Sequence, residues 1–179
     1  MCKVSPAGVV SALAGSATNG YADGTGAGAA FRSPVGVTVH SSGNVFVGDS
    51  ANHRIRKVTT TGAVTLLAGS GTGAFTDGTG AGAAFNSPRG LSVIASGDIF
   101  VADFGNHRIR RVTPVGVVTT LAGSGMYDFA DGAGTLASFR NPCDVAVDAS
   151  GNALVADANN NRIRKLTCAA GTYLSLIHI

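Results

Sequence analysis

The stretch "GDSANHRIRKV" at Gly48–Val58 returns as "ADFGNHRIRRV" at Ala102–Val112 and as "ADANNNRIRKL" at Ala156–Leu166. Asp49, Asp103 and Asp157 stand in register, as do Asn52, Asn106 and Asn160, and Arg54, Arg108 and Arg162, each series stepping by 54 residues. A fixed period of this length marks a repeat architecture, in which each unit buries its apolar faces against its neighbours.

Working outward from that stretch, each period holds four short apolar runs. Val35–His40 ends at the turn residues "SSGN", Val45–Asp49 at "SANH", Arg54–Thr59 at "TTG", and Ala63–Ala68 at a long Gly-rich loop, Gly69–Pro88. Alternation over four to six residues, broken by Ser, Gly and Asn, predicts antiparallel strands joined by tight turns. Four strands per unit, repeated, predict blades of a β-propeller. A parallel β-solenoid is the alternative, but it needs no hairpin turn between every pair of runs. The fold class expected is therefore all-β: a partial propeller of about three four-stranded blades, preceded by the outer strands of another. "KVSPAGVVSALAGS" at Lys3–Ser16 aligns with Lys57–Ser70 and Arg111–Ser124 and supplies those outer strands. The units fall near 1–33, 34–87, 88–141 and 142–173. Met1 thus falls inside a repeat, and the chain reads as a fragment of a larger protein whose two end faces lie uncovered.

Composition agrees with close-packed sheets. Hydrophobic residues make up 45% of the 179, with eight Phe and no Trp, so narrow inter-sheet spaces suit the core better than one bulky centre. The formal net charge of +3 is small, with no long basic stripe. Cys2, Cys143 and Cys168 lack the C-x-x-C spacing of a zinc site and define no disulfide framework. No stretch reaches the ~18 apolar residues of a membrane span, and no charged-then-apolar leader opens the sequence.

"SPVGVTVHSSGNVFVGDSANHRIRKV" at Ser33–Val58 resembles the NHL repeat, which runs P-x-G-[IV]-x-V, then G-x-[IV]-[YF]-V-x-D-x-x-N-x-R-I. Copies lie at Pro34–Val58, Pro88–Val112 and Pro142–Leu166. The resemblance implies propeller blades, a binding or scaffold role, and a setting among secreted, cell-surface or other multidomain proteins. It also implies two alternatives, since some NHL domains bind RNA and some NHL-like propellers are zinc-dependent lyases. Two departures stand out: Cys143-Asp144 replaces the Val35-Gly36 and Arg89-Gly90 pairs, and Asn161 replaces His53 and His107.

Five groups of residues could carry chemistry. The Asp49/Asn52/Arg54 set, with Asp103/Asn106/Arg108 and Asp157/Asn160/Arg162, suits a turn lock in which carboxylate and guanidinium pair across the hairpin. His53 and His107 could ligate metal, but no Asp, Glu or Cys stands at ligand spacing. The "DGTGAG" loops at Asp23–Gly28 and Asp77–Gly82, with "DGAG" at Asp131–Gly134, lack the acidic ladder of a calcium loop and the Lys of a phosphate loop. They predict a turn and a single helical turn, after which Phe31, Phe85 and Phe139 plug the groove between blades. The basic pairs Arg56/Lys57, Arg110/Arg111 and Arg164/Lys165 could meet nucleic acid, although strand alternation splits each pair between two faces. No catalytic residue, cofactor or metal site is expected. A protein partner is favoured over nucleic acid.

The end of the chain departs from the repeat. "LSLIHI" at Leu174–Ile179 reads as a translated sequencing adapter and is expected to be a non-native tail. "CAAGTY" at Cys168–Tyr173 resembles the start of an extracellular Cys-rich module.

Overall fold

The computed structural model describes residues 1–169 and 172–178, and the side chains of residues 1–167. The readings of Leu174–Ile179 as a tail and of Cys168–Tyr173 as a module start concern side chains outside that range. In chain order the strands are β1 Cys2–Val4, β2 Val10–Ala12, β3 Gly24–Thr25, β4 Pro34–Val39, β5 Val45–Asp49, β6 Arg54–Val58, β7 Ala63–Ala68 and β8 Gly78–Thr79. They continue with β9 Pro88–Val93, β10 Ile99–Asp103, β11 Arg108–Val112, β12 Val117–Ala122, β13 Pro142–Val147, β14 Ala153–Asp157, β15 Arg162–Ala169 and β16 Thr172–His178. No helix among the described residues is long and apolar enough to cross a membrane.

The strands form three antiparallel blades and a leading hairpin. β1 pairs with β2, the first blade runs β4-β5-β6-β7, the second β9-β10-β11-β12 and the third β13-β14-β15-β16. One element was not foreseen. The two-residue strands β3 and β8, from the Gly-rich loops, add a fifth strand outside β7 and β12. That covers the outer edge of the first two blades, the edge a sheet otherwise leaves open to pairing. The loop then turns through a single 3₁₀ turn, at Gly26–Gly28, Gly80–Gly82 and Gly134–Leu136, and returns to the innermost strand of its own blade.

The core lies in the joints. Phe46, Ile55 and Ala68 of the first blade meet Leu91, Ile99, Val101, Val112 and Val118 of the second, with Phe85 among them. Phe100, Ala102, Ile109 and Ala122 meet Val145, Ala153, Val155 and Leu166 in the same way around Phe139. The leading hairpin covers the first blade less fully: Phe31 is buried among Ala14, Val45, Val47, Val58 and Val64, but Val37 and Val39 stay open at 57% and 61% exposed.

The innermost strands converge. β9 packs against both β4 and β13, and an open cleft of about 530 Å³ runs along Val35–Val37, Gly90–Ser92 and Cys143–Ala146. The approach is close enough that a Cβ on Gly36 would overlap the Arg89 carbonyl, and one on Gly90 would overlap Asp144. Backbone cannot yield there without opening the joint. Gly36→Ala is therefore expected to destabilise the fold by about 1–3 kcal/mol, read as a lower midpoint in thermal circular dichroism. Gly82→Ala, where a Cβ meets open space, should leave the midpoint nearly unchanged.

Candidate functional site

Each copy of the motif is a strand end, a turn and a strand start. β5 closes at Asp49, Ser50–Asn52 make a 3₁₀ turn, and His53 takes the left-handed conformation at φ 54°, ψ 40° before β6 begins. His107 and Asn161 hold the same place at φ 55° and 53°. Histidine and asparagine enter this region more readily than most residues, so the lapse from His to Asn leaves the turn intact.

The carboxylate is shared among three donors. Asp49 Oδ1 accepts the Arg32 N–H at 2.7 Å, and Oδ2 accepts Asn52 Nδ2 at 2.9 Å and Arg56 Nη1 at 3.0 Å. Arg56 is fully buried. Its Nη2 reaches Asp23 Oδ1 at 2.6 Å and the Ala22 carbonyl at 2.9 Å, while Nη1 also donates to the Ala30 carbonyl at 3.2 Å. The second blade repeats the arrangement with Arg110 between Asp103 (2.7 Å) and Asp77 (2.6 Å), the third with Arg164 between Asp157 (2.9 Å) and Asp131 (2.6 Å). Burial pushes the Asp103 carboxyl up from its ordinary range, against the pull of Arg110, Asn106 and the Asn86 amide.

The expected pairing of Asp49 with Arg54 is thus corrected. The two residues are register partners across the hairpin, but the guanidinium that reaches Asp49 comes from Arg56, two residues further on. Arg54 turns outward to the Asn52 and Ser70 carbonyls at 3.2 and 2.9 Å and lies 3.9 Å over the Tyr21 ring. Arg108 does the same with the Asn106 and Ser124 carbonyls and Phe75, and Arg162 with the Asn160 carbonyl and Phe129. The buried arginines touch the same rings from within: Arg56 sits 4.6 Å from Tyr21, Arg110 4.8 Å from Phe75 and Arg164 4.7 Å from Phe129. Each also faces a joint phenylalanine: Phe31 at 5.3 Å, Phe85 at 5.2 Å and Phe139 at 5.3 Å.

Four of the five groups therefore meet in one place. The loop aspartates, the motif carboxylates and the joint phenylalanines all converge on a buried arginine, the first member of each basic pair that the sequence offers as a nucleic-acid contact. The signal was present as a period: Asp23, Asp77 and Asp131 step by 54 residues alongside Arg56, Arg110 and Arg164. Each basic pair spends one charge inside the fold, since Arg56, Arg110 and Arg164 are buried, and in the second pair Arg111 also binds Asp98 at 2.6 Å.

His53 and His107 do not converge on one another. Each spans a joint: His53 Nδ1 accepts the Ser87 N–H at 3.0 Å, and His107 Nδ1 accepts the Asn141 N–H at 3.2 Å.

Positive charge collects instead at the end of the blades where these turns lie. Arg32, Arg89 and Arg140 enter the innermost strands there, beside Arg54, Arg108 and Arg162. Arg89 stacks on Phe104 at 3.4 Å, and Arg140 lies 4.9 Å over Tyr127 and 3.7 Å from Asp128. Among the described residues, Arg32, Arg54, Arg89, Arg108 and Arg162 form no ion pair with a carboxylate.

Comparison with known proteins bears on the repeat and its fold. The sequence pattern of the NHL repeat matches residues 31–58, 85–112 and 139–166. The chain is 40% identical over 91 residues to Protein SUPPRESSOR OF QUENCHING 1, chloroplastic, of Arabidopsis thaliana, covering 50% of this chain and 9% of that protein. It is 38% identical over 95 residues to NHL repeat-containing protein 2 of Gallus gallus, covering 52% of this chain and 13% of that one. The chain thus spans about a tenth of the length of these relatives. Among solved structures, a protein of unknown function from Bacteroides thetaiotaomicron superposes at a TM-score of 0.74 and 24% identity, over 96% of this chain and 40% of its own. A streptogramin B lyase superposes at a TM-score of 0.62 and 14% identity, over 99% and 47%. Both share the fold. The chain belongs to the NHL-repeat family, its three repeats folded as successive four-stranded propeller blades.

Proposed function

We propose that the chain is a non-catalytic NHL-repeat scaffold that docks an acidic segment of a partner protein on the turn end of its blades. One observation carries this reading: five arginines that form no ion pair among the described residues lie at one end, Arg54, Arg108 and Arg162 turned to backbone carbonyls and rings and Arg32 and Arg89 beside them, so that end carries an excess of positive charge. Complementary charge steers association and fixes register. The buried carboxylates and arginines do not compete for this role, because each is consumed in the locks behind it.

Single-stranded RNA fits the same charge less well. Its sequence-tolerant binding depends on bases stacking on aromatic side chains, and Tyr21, Phe75 and Phe129 are each already held against two guanidinium groups. The lyase reading calls for histidines that converge, and His53 and His107 serve separate joints.

Fluorescence anisotropy with a labelled poly-glutamate peptide and a labelled poly-uridine oligomer tests the proposal. The peptide should bind at low salt and weaken as salt shortens the range of the field. Arg32→Ala/Arg89→Ala should lower its affinity about tenfold, equivalent to about 1.4 kcal/mol. Tighter binding of the RNA, or binding of neither, overturns the reading.

A further inference from the structure

The two histidines of the motif do a job that depends on their charge. A neutral imidazole can accept at Nδ1 while Nε2 carries the proton, whereas an imidazolium donates from both nitrogens. At both joints Nδ1 is the accepting atom, and the donor is a backbone N–H of the next blade. Ser87 and Asn141, which carry those donors, sit in the left-handed region at φ 53° and 52°, so their amides are fixed in direction. They lie just ahead of β9 and β13, the innermost strands, where Arg89 and Arg140 reach the charged end.

We propose that acid opens the blade joints of this chain: protonating His53 and His107 removes the acceptors that tie Ser87 and Asn141 to the preceding blade. The surroundings reinforce this. His53 faces Arg32 and Arg54 as well as the bare Cα of Gly73 and the Asn86 side chain, and an added proton there meets two like charges. His107 faces Arg108 at the start of β11, Asp157 on β14 and the Tyr127 ring at 5.2 Å, edge-on. Arg140 and Asp128 lie beyond that ring. Asp157 draws the proton in, but it is already committed to Arg164. Burial, then the neighbouring arginines, holds both histidines below their ordinary value of 6.5. A side chain whose folded value is depressed contributes stability that is present above the unfolded value and lost as the pH falls through the folded one. The window therefore opens below pH 6.5 and deepens toward acid.

The third copy supplies the control. Asn161 occupies the same left-handed turn, and its side-chain amide offers an acceptor oxygen that does not titrate. His53→Asn/His107→Asn should therefore keep the acceptor and lose the switch.

Amide hydrogen exchange of the whole chain, followed by NMR from pH 7.5 to 5.0 and corrected for intrinsic rates, reads the joints directly. In the wild type, the opening constant at Ser87 and Asn141 should rise as the pH falls, approaching tenfold per pH unit, the limit for one proton per site. In the double variant it should stay flat. Protection at both amides that does not change with pH in the wild type overturns the proposal without any variant. An equal loss in the double variant, or a flat profile produced by His40→Asn at the opposite end of the blades, overturns it too.

Discussion

Arg110→Met should lower the unfolding free energy by about 3–5 kcal/mol, the cost of leaving a buried charge without its partner, measured by urea denaturation at pH 7.5. Asp103 has no exposure and stays fixed by the Asn86 amide and Asn106, so it cannot turn to water when the guanidinium goes. The second partner behaves differently. Asp77 is 46% exposed on its side chain, and Asp77→Asn should cost no more than about 1 kcal/mol, as for a solvated pair. Burial already raises the Asp103 carboxyl, and losing Arg110 removes the main opposing pull. A carboxyl whose folded value is raised binds its proton more readily in the folded state, so the variant gains relative stability as the pH falls. Its deficit against wild type is largest at pH 7.5 and narrows in acid. Arg110→Met/Asp103→Asn should recover part of the loss. A single variant within about 1 kcal/mol of wild type would show that the pair merely breaks even with water.

Much of this was legible from period and pattern. Val45–Asp49 and Ala63–Ala68 are strands with the bounds read from sequence, and Val35–His40 and Arg54–Thr59 are each off by one residue. Turn residues gave the hairpins, and the 54-residue step gave the blades. What escaped was which side chains meet. Asp49 and Arg54 end their strands opposite one another, and proximity in the ladder suggested a bond. The backbone turns at Asp49, at ψ 73°, and β6 carries an irregularity between Ile55 and Arg56 where it pairs with β7. The carboxylate meets the buried Arg56, one pleat further in, while Arg54 turns to the Asn52 and Ser70 carbonyls. The fifth strands escaped as well, because Gly78–Thr79 is too short for any alternation to show. Joint histidines are invisible in a single repeat: their partner belongs to the next one.

Phe85→Ala is expected to cost about 3–5 kcal/mol, in the range for deleting a buried aromatic side chain. Phe85 is fully buried, and its ring is in contact with both blades at once, so removing it leaves a void that neither sheet can fill alone. It also strips one face from the Arg110 guanidinium, which lies 5.2 Å from the ring centre. Phe85→Leu keeps most of the volume and should cost less than about 1.5 kcal/mol. The sharper expectation concerns cooperativity. In a linear array, stability is the sum of each unit and its interfaces, and Phe85 sits at one interface. Its loss should uncouple the first blade from the second and third, splitting one urea transition by circular dichroism into two of smaller slope, since each then exposes only part of the surface. Phe139→Ala should move the split to the second joint. A single sharp transition at an unchanged midpoint in Phe85→Ala would mean that the strands around it, rather than the ring between them, hold the blades together.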